Sequence, residues 1–194
     1  MDAVQLSFEI SFPALDPFVE YWATRYRDTD RDGRYYDPNL GKANLRTDEQ
    51  ALMALFTWKN GGDGISAKKK ASISTNYFDR WVEDGELENR YLDPKQGGGP
   101  IWNIFYIHCR RPDLYPIYDQ HAYRAMRYIQ GQGGRRNLIE ERRSFVYESY
   151  SKEYRPFVTM IGAATGRDLR SIDRALYTFG QFLKVAGPYM AGES

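Results

Sequence analysis

The chain has 194 residues, 42% of them apolar and 27% charged, which is ordinary for a globular protein long enough to close a hydrophobic core. A formal net charge of +1 gives no global basic signal for nucleic acid. The single cysteine, Cys109, excludes an internal disulfide, a four-cysteine iron–sulfur cluster and a cysteine-based zinc site.

Only His108 and His121 remain as imidazoles, so neither a metal nor a cofactor is expected. No apolar run approaches the roughly 20 residues of a membrane span. The start MDAVQLSFEISFPALD has no basic segment and no signal-peptide core, so a cytoplasmic location is expected. Although the net charge is small, cations cluster at Lys68–Lys70, Arg110-Arg111, Arg135-Arg136 and Arg142-Arg143, and a nearly neutral protein can still carry a basic face.

In chain order, a short helix is expected from Pro17. The polar stretch Asp28–Arg46, rich in Asp, Gly and Tyr, reads as a long loop. Thr47-Asp48-Glu49-Gln50 fits a capping box with Thr47 as the cap, followed by Ala51, Leu52, Leu55 and Phe56 at helical spacing and a stop at Asn60-Gly61-Gly62. Ser66 can cap a second helix carrying Ile73, Tyr77, Phe78 and Trp81 on one face as far as Gly85.

Pro100 suits the first turn of a helix, and Ile101, Trp102, Ile104, Phe105 and Ile107 make that helix central, with Pro112 as its end. Asp119 can cap the next helix, with Ala122, Ala125, Met126 and Ile129 inward and Gln120, Tyr123, Arg124 and Arg127 on the other side. Gly131–Arg136 reads as a basic, flexible link. Helix follows again with an interruption near Pro156. The last helix steps by three and four through Leu169, Ile172, Leu176, Phe179 and Leu183 to Gly187-Pro188. No segment alternates as a strand. The expectation is an all-α, compact helical bundle forming a single domain over 1–194, with 1–46 as an N-terminal extension and loop.

The stretch Gly97–Arg127 carries the most chemistry: a glycine turn opening a buried helix, a short loop, and a carboxylate at the head of a second helix. Glycines let a backbone approach a phosphate closely, because they carry no side chain. Each feature also has a plainer reading. Asp119 can be only a helix cap, Gly97–Gly99 only a loop, and Asn60 only a helix C-cap. His121 can be structural, and Arg124 can pair with a buried carboxylate instead of a phosphate.

Pro116-Ile117-Tyr118-Asp119-Gln120-His121-Ala122-Tyr123-Arg124 resembles the Pro-x-Asp-x-His-x-x-Arg segment of the helix-hairpin-helix DNA glycosylases, in the 8-oxoguanine glycosylase-like branch, with one extra residue between Pro and Asp. Leu55–Asn60 and Asp173-x-x-Leu176-x-x-Phe179-Gly180 resemble the same family more weakly. The likeness covers roughly residues 47–184. It implies a helix-hairpin-helix-like element on double-stranded DNA, base flipping, and Asp119 as the catalytic carboxylate. His121 and Arg124 fall on matching DNA-contact positions, and Asn60 on a duplex-inserting one.

Two departures stand out. Gly97–Pro100 replaces the usual Leu-Pro-Gly-x-Gly hairpin, and no lysine lies early in the following helix, where the bifunctional members keep their amine. Without that amine no Schiff base forms, which implies a monofunctional enzyme using water. Gly97, Gly98, Gly99, Lys68 and Lys69 are expected at phosphates, and Trp58, Trp102 and Tyr118 around the flipped base.

The small size and aromatic loop resemble an anti-phage branch that excises α-glucosyl-hydroxymethylcytosine from phage DNA, acting here as a monomer without a protein partner. A repair glycosylase for an oxidised or alkylated base, and a non-catalytic DNA binder of similar fold, remain as alternatives.

Overall fold

The computed structural model describes residues 14–40, 45–62, 64–132, 138 and 141–186, and over these the chain is all-α, with no strand. It divides into two compact units, each assembled from separate stretches of sequence.

The first unit comprises Met1–Tyr26, Tyr118–Arg142 and Glu148–Ser194. Helix α1 (Leu15–Ala23) begins close to the expected Pro17 and buries Phe18, Val19 and Trp22. It packs on α11 (Leu169–Ala186), which in turn packs on α8 (Gln120–Ile129). Helix α11 has the predicted periodicity, with Ile172, Leu176, Phe179 and Leu183 buried at steps of three and four. Phe179 meets Phe18 edge-on at 5.2 Å and Trp22 at 5.0 Å, so an aromatic cluster joins α1 to α11.

Helices α8 and α11 pack closely at Gly180, where a Cβ would lie 1.9 Å from the His121 carbonyl oxygen. On α8, Ala122, Ala125 and Met126 are buried as predicted, but so is Tyr123, expected on the outer face. Its ring meets Tyr118 edge-on at 6.1 Å, so a second aromatic cluster claims it from the polar side of the helix.

Helix α9 (Arg143–Ser149) continues through a π-turn (Tyr150–Tyr154) into α10 (Arg155–Thr165). The expected interruption at Pro156 is therefore absent. The wider π-turn directly precedes the proline, and its ring falls in the first turn of α10, where no amide donor is lost. Gly166, at φ +69°, ends α10 and donates its N–H to the Gly162 carbonyl at 2.8 Å. Most of the basic Gly131–Arg136 link and the Gly187-Pro188 stop lie outside the described residues.

The second unit comprises Arg27–Ile117 and Arg143–Tyr147. The polar stretch read as a long loop is mainly helical: α2 (Thr29–Arg31), a π-turn (Asp32–Tyr36) and α3 (Asp37–Leu40) run in succession. Local propensity opposes this, but tertiary contacts override it. Asp32 is buried and accepts the Trp58 indole N–H at 2.7 Å. Tyr36 packs on Trp58 at 4.6 Å and hydrogen-bonds His108 Nε2 through its hydroxyl.

Helix α4 (Glu49–Lys59) is capped by Asp48, not Thr47: the Asp48 carboxylate accepts the Ala51 N–H at 2.8 Å. A carboxylate is the stronger acceptor and also brings negative charge to the positive helix end. Ser66 caps α5 (Ala67–Ile73) as expected. That helix passes into a π-turn (Ser74–Phe78) and stops there, short of Gly85, which lies in a 3₁₀ turn (Asp84–Glu86) leading to α6 (Leu87–Tyr91).

Helix α7 (Pro100–Arg110) is the core element the sequence implied, with Asn103–Cys109 all buried. Phe56 stacks on Trp102 at 5.1 Å and Trp58 on Phe105 at 5.6 Å, locking α4 against α7. Among the described residues no helix is long and apolar enough to cross a membrane.

Candidate functional site

In the first unit, the backbone at Asp119 is extended (φ −154°, ψ 179°), turning the side chain back over the start of α8. Its Oδ1 accepts the His121 N–H at 2.8 Å and the Ala122 N–H at 2.9 Å. Asp119 is thus a true N-cap, a role the sequence allowed. It remains half-buried, so the carboxylate is held in one orientation without being sealed away.

Two basic residues of α8 accompany it. Arg124 Nη1 donates to His121 Nδ1 at 3.2 Å and to the Gly180 carbonyl at 3.1 Å. A guanidinium can only donate, so this contact fits a ring with Nδ1 unprotonated. Burial lowers the His121 pKa, and the Arg124 charge adds to this while Asp119 opposes it. Burial thus favours the neutral imidazole. Burial likewise lowers the Arg124 pKa against the pull of Asp119. Asp119, His121 and Arg124 form one cluster at the α8–α11 packing point.

Tyr118 is fully buried and does not line an open surface. Its hydroxyl donates to Ser149 Oγ at 3.0 Å, and Ser149 donates to Glu153 Oε2 at 3.3 Å. Its ring packs on Tyr154 at 4.8 Å and Tyr150 at 5.4 Å. Burial raises the Tyr154 pKa well above its usual value, and the Asp173 and Asp119 charges add to it. Asp173, buried on α11, thus shares an electrostatic environment with Asp119. In the sequence Asp173 stood out only in the weaker likeness of α11 to the glycosylase family, which did not give its buried state.

In the second unit, the Gly97–Gly99 turn is held by Arg143, named in the sequence only as half of a basic doublet, and by Asn103, which the sequence did not single out. Arg143 donates to the carbonyls of Gln96 and Gly98, and to that of Gly97 at 3.2 Å. Asn103 Nδ2 donates to the Gly97 carbonyl at 3.0 Å and to the Tyr147 hydroxyl at 2.7 Å, and its Oδ1 accepts the Tyr77 hydroxyl at 2.8 Å.

Gly98 sits at φ +86°, and a Cβ there would lie 2.2 Å from Asn103 Oδ1, so the position needs glycine on both counts. With their carbonyls turned toward these donors, the amides of Gly97, Gly98 and Gly99 donate to no acceptor among the described residues. Arg143 lies far from the turn in sequence, inside a basic doublet that reads as solvated surface, so no local signal marked it.

Asn60 is the C-cap of α4, as the plainer reading had it. Its Nδ2 donates to the Gly64 carbonyl at 3.0 Å, and its Oδ1 accepts from Lys69 Nζ at 2.7 Å. That ammonium also lies 5.7 Å over the Trp102 ring. Asn60, Lys69 and Trp102 are therefore neighbours, while Lys68 is exposed on the first turn of α5. Trp58, expected beside a base, is instead a core residue, because its indole bonds to Asp32 and its ring stacks in the α4–α7 interface. Among the described residues no three His, Cys, Asp or Glu side chains are grouped to hold a metal ion.

No family model, curated protein or solved structure matches the chain. Function must therefore be argued from the chemistry of these groups. An oriented carboxylate beside a neutral imidazole and a guanidinium can stabilise a developing cation and direct a water. Unbonded amides suit an anion.

Proposed function

We propose that the protein is a monofunctional DNA N-glycosylase, acting as a monomer on double-stranded DNA in the cytoplasm. Glucosylated hydroxymethylcytosine of phage DNA is its favoured substrate, which makes it an anti-phage defence enzyme. One observation carries this reading: the half-buried Asp119 carboxylate, fixed by two backbone amides beside His121 and Arg124, in a segment that resembles the glycosylase motif.

The chemistry follows from that carboxylate. The target base is flipped from the duplex, at a cost of a few kcal/mol. As the C1′–N bond stretches, its electron pair leaves with the base and positive charge builds on the deoxyribose. Asp119 stabilises that charge and orients a water, whose oxygen bonds to C1′ while its proton passes to the carboxylate or the departing base. The products are a free base and an abasic sugar.

The first turn of α7 is Pro-Ile-Trp, with no amine, which supports hydrolysis without strand cleavage through a Schiff base. DNA backbone contacts are assigned to Gly97–Gly99, Lys68, Lys69, Asn60, His121 and Arg124. Trp58 and Tyr118 are not assigned base contacts, since both are occupied as core.

The deciding experiment is alkali-assisted cleavage of duplexes bearing a panel of modified bases, comparing the wild type with Asp119→Asn. Asparagine keeps the cap and removes the charge. Abasic sites that appear only in glucosylated DNA, and vanish in the variant, are the expected result. Abasic sites in modified and unmodified DNA alike reject the substrate. Base release unchanged by Asp119→Asn rejects the assigned role of that carboxylate, and no release from any duplex rejects the enzyme.

A further inference from the structure

The second unit holds two guanidinium groups that the fold does not use. The guanidinium groups of Arg80, which follows the Ser74–Phe78 π-turn, and of Arg90, on α6, make no hydrogen bond or ion pair with any described residue. Arg80 is exposed. Arg90 is half-buried, and its Nη1 is cut off from solvent without an acceptor. A buried donor left unmade is costly, so a fold that keeps one calls for an explanation.

Several nearby carboxylates are engaged elsewhere. Glu83 pairs with Arg46 at 3.7 Å, Asp84 with Arg110 and Arg111, and Glu88 accepts the Tyr115 hydroxyl at 2.9 Å. Asp93 accepts the Lys95 N–H at 2.9 Å and the Gln96 amide at 3.4 Å. Arg80 and Arg90 make no ion pair with the carboxylates of this acidic stretch.

Arg80 lies by the glycine turn, and Arg90 packs on the tyrosine that binds the Arg80 backbone. Arg80 Nη1 is 4.0 Å from the point a Gly97 Cβ would occupy. Arg90 lies 4.9 Å from the Tyr91 ring centre, and the Tyr91 hydroxyl donates to the Arg80 carbonyl at 3.1 Å. The Arg90 charge also acts on the Tyr77 and Tyr147 phenols, which hold the Asn103 side chain that clamps the Gly97 carbonyl. One unpaired guanidinium, Arg80, thus stands beside a turn whose amides are unbonded, and a second, Arg90, stands over the neighbouring Tyr91 ring.

We propose that Arg80 and Arg90 form a phosphodiester-binding subsite for duplex DNA beside the Gly97–Gly99 turn, a reading that rests on DNA as the partner proposed above. A guanidinium suits this task because its planar fork matches two phosphate oxygens. The Tyr91 ring under Arg90 holds one fork in place before DNA arrives.

The test is the salt dependence of binding of the full chain to a labelled duplex oligonucleotide, read by fluorescence anisotropy, with base release measured on the same preparations. Each lost phosphate contact lowers the slope of log K against log salt by about 0.9. Arg80→Gln is expected to lower it by about 0.9 and the Arg80→Gln/Arg90→Gln pair by about 1.8, while Arg46→Gln, at a residue already paired with Glu83, leaves it unchanged.

Because Arg80 is exposed, the single variant decides the matter even if the pair fails to fold. Wild-type slopes in both variants overturn the subsite and leave the glycosylase reading intact if base is still released. Reduced slopes in a protein that releases no base keep the subsite and remove the enzyme. Salt-independent or absent binding by the wild type overturns both.

Discussion

Gly180→Ala sets two effects of opposite sign against each other. Alanine in a helix interior is favoured over glycine by about 1 kcal/mol, so propensity alone predicts a more stable protein. At Gly180, however, the new Cβ would stand 1.9 Å from the His121 oxygen, 2.5 Å from its carbonyl carbon and 2.9 Å from its Cα. All three are backbone atoms, so no side chain can rotate out of the way, and α8 and α11 must separate.

Overpacking of this kind costs about 1–3 kcal/mol, and an unyielding neighbour puts it at the upper end. Separation also loosens the hydrogen bond from Arg124 to the Gly180 carbonyl, a charged bond of about 1.5–3 kcal/mol when intact. The net is a loss of about 2–4 kcal/mol, or a fall in Tm of about 5–15 °C for a chain of this size. Urea unfolding followed by far-UV circular dichroism, paired with a thermal melt, measures it. A variant as stable as the wild type, or more so, would show that helix propensity wins and that the α8–α11 contact is not the close packing described.

The same cluster gives further expectations. Asp119→Ala removes the α8 cap and should cost about 1 kcal/mol in urea unfolding, whereas Asp119→Asn should be nearly neutral there yet lower base release on the order of 10²–10³-fold. Because burial lowers the His121 pKa, the unfolded chain takes up that proton first as pH falls. Stability should therefore drop as pH goes below about 6.5 and level off beneath the folded pKa, and His121→Gln should flatten this dependence in urea midpoints measured from pH 7.5 to 5. Asp32→Ala leaves the Trp58 indole N–H buried and unmet, with an expected loss of about 1–3 kcal/mol that a Trp58→Phe background largely removes in a double-mutant cycle. Gly98→Ala should destabilise by about 1–3 kcal/mol, since it meets Asn103 Oδ1 at a positive φ; an unchanged melt would mean the turn does not need the Arg143 and Asn103 clamps.

What the sequence determined by itself lies where local chemistry and hydrophobic period agree. The all-α class, the buried face of α11, the central α7 behind Pro100, the Ser66 cap and the Asp119 cap all follow from side chains within a turn or two of each other. Tertiary structure decided the rest, because its contacts join residues far apart in the chain. Helix in 29–40 depends on a buried Asp32 meeting Trp58 and on Tyr36 meeting His108; neither partner is in the stretch, so its Asp, Gly and Tyr content read as loop. Tyr123 turned inward because Tyr118 was there to receive it, and Trp58 became core for want of any open face. At the candidate site, the carboxylate and its cap were readable as one local motif. The tautomer of His121, the burial of Asp173, the clamp of Arg143 on the glycine turn and the unpaired state of Arg80 and Arg90 were not, since each is fixed by which distant group arrives within hydrogen-bonding reach.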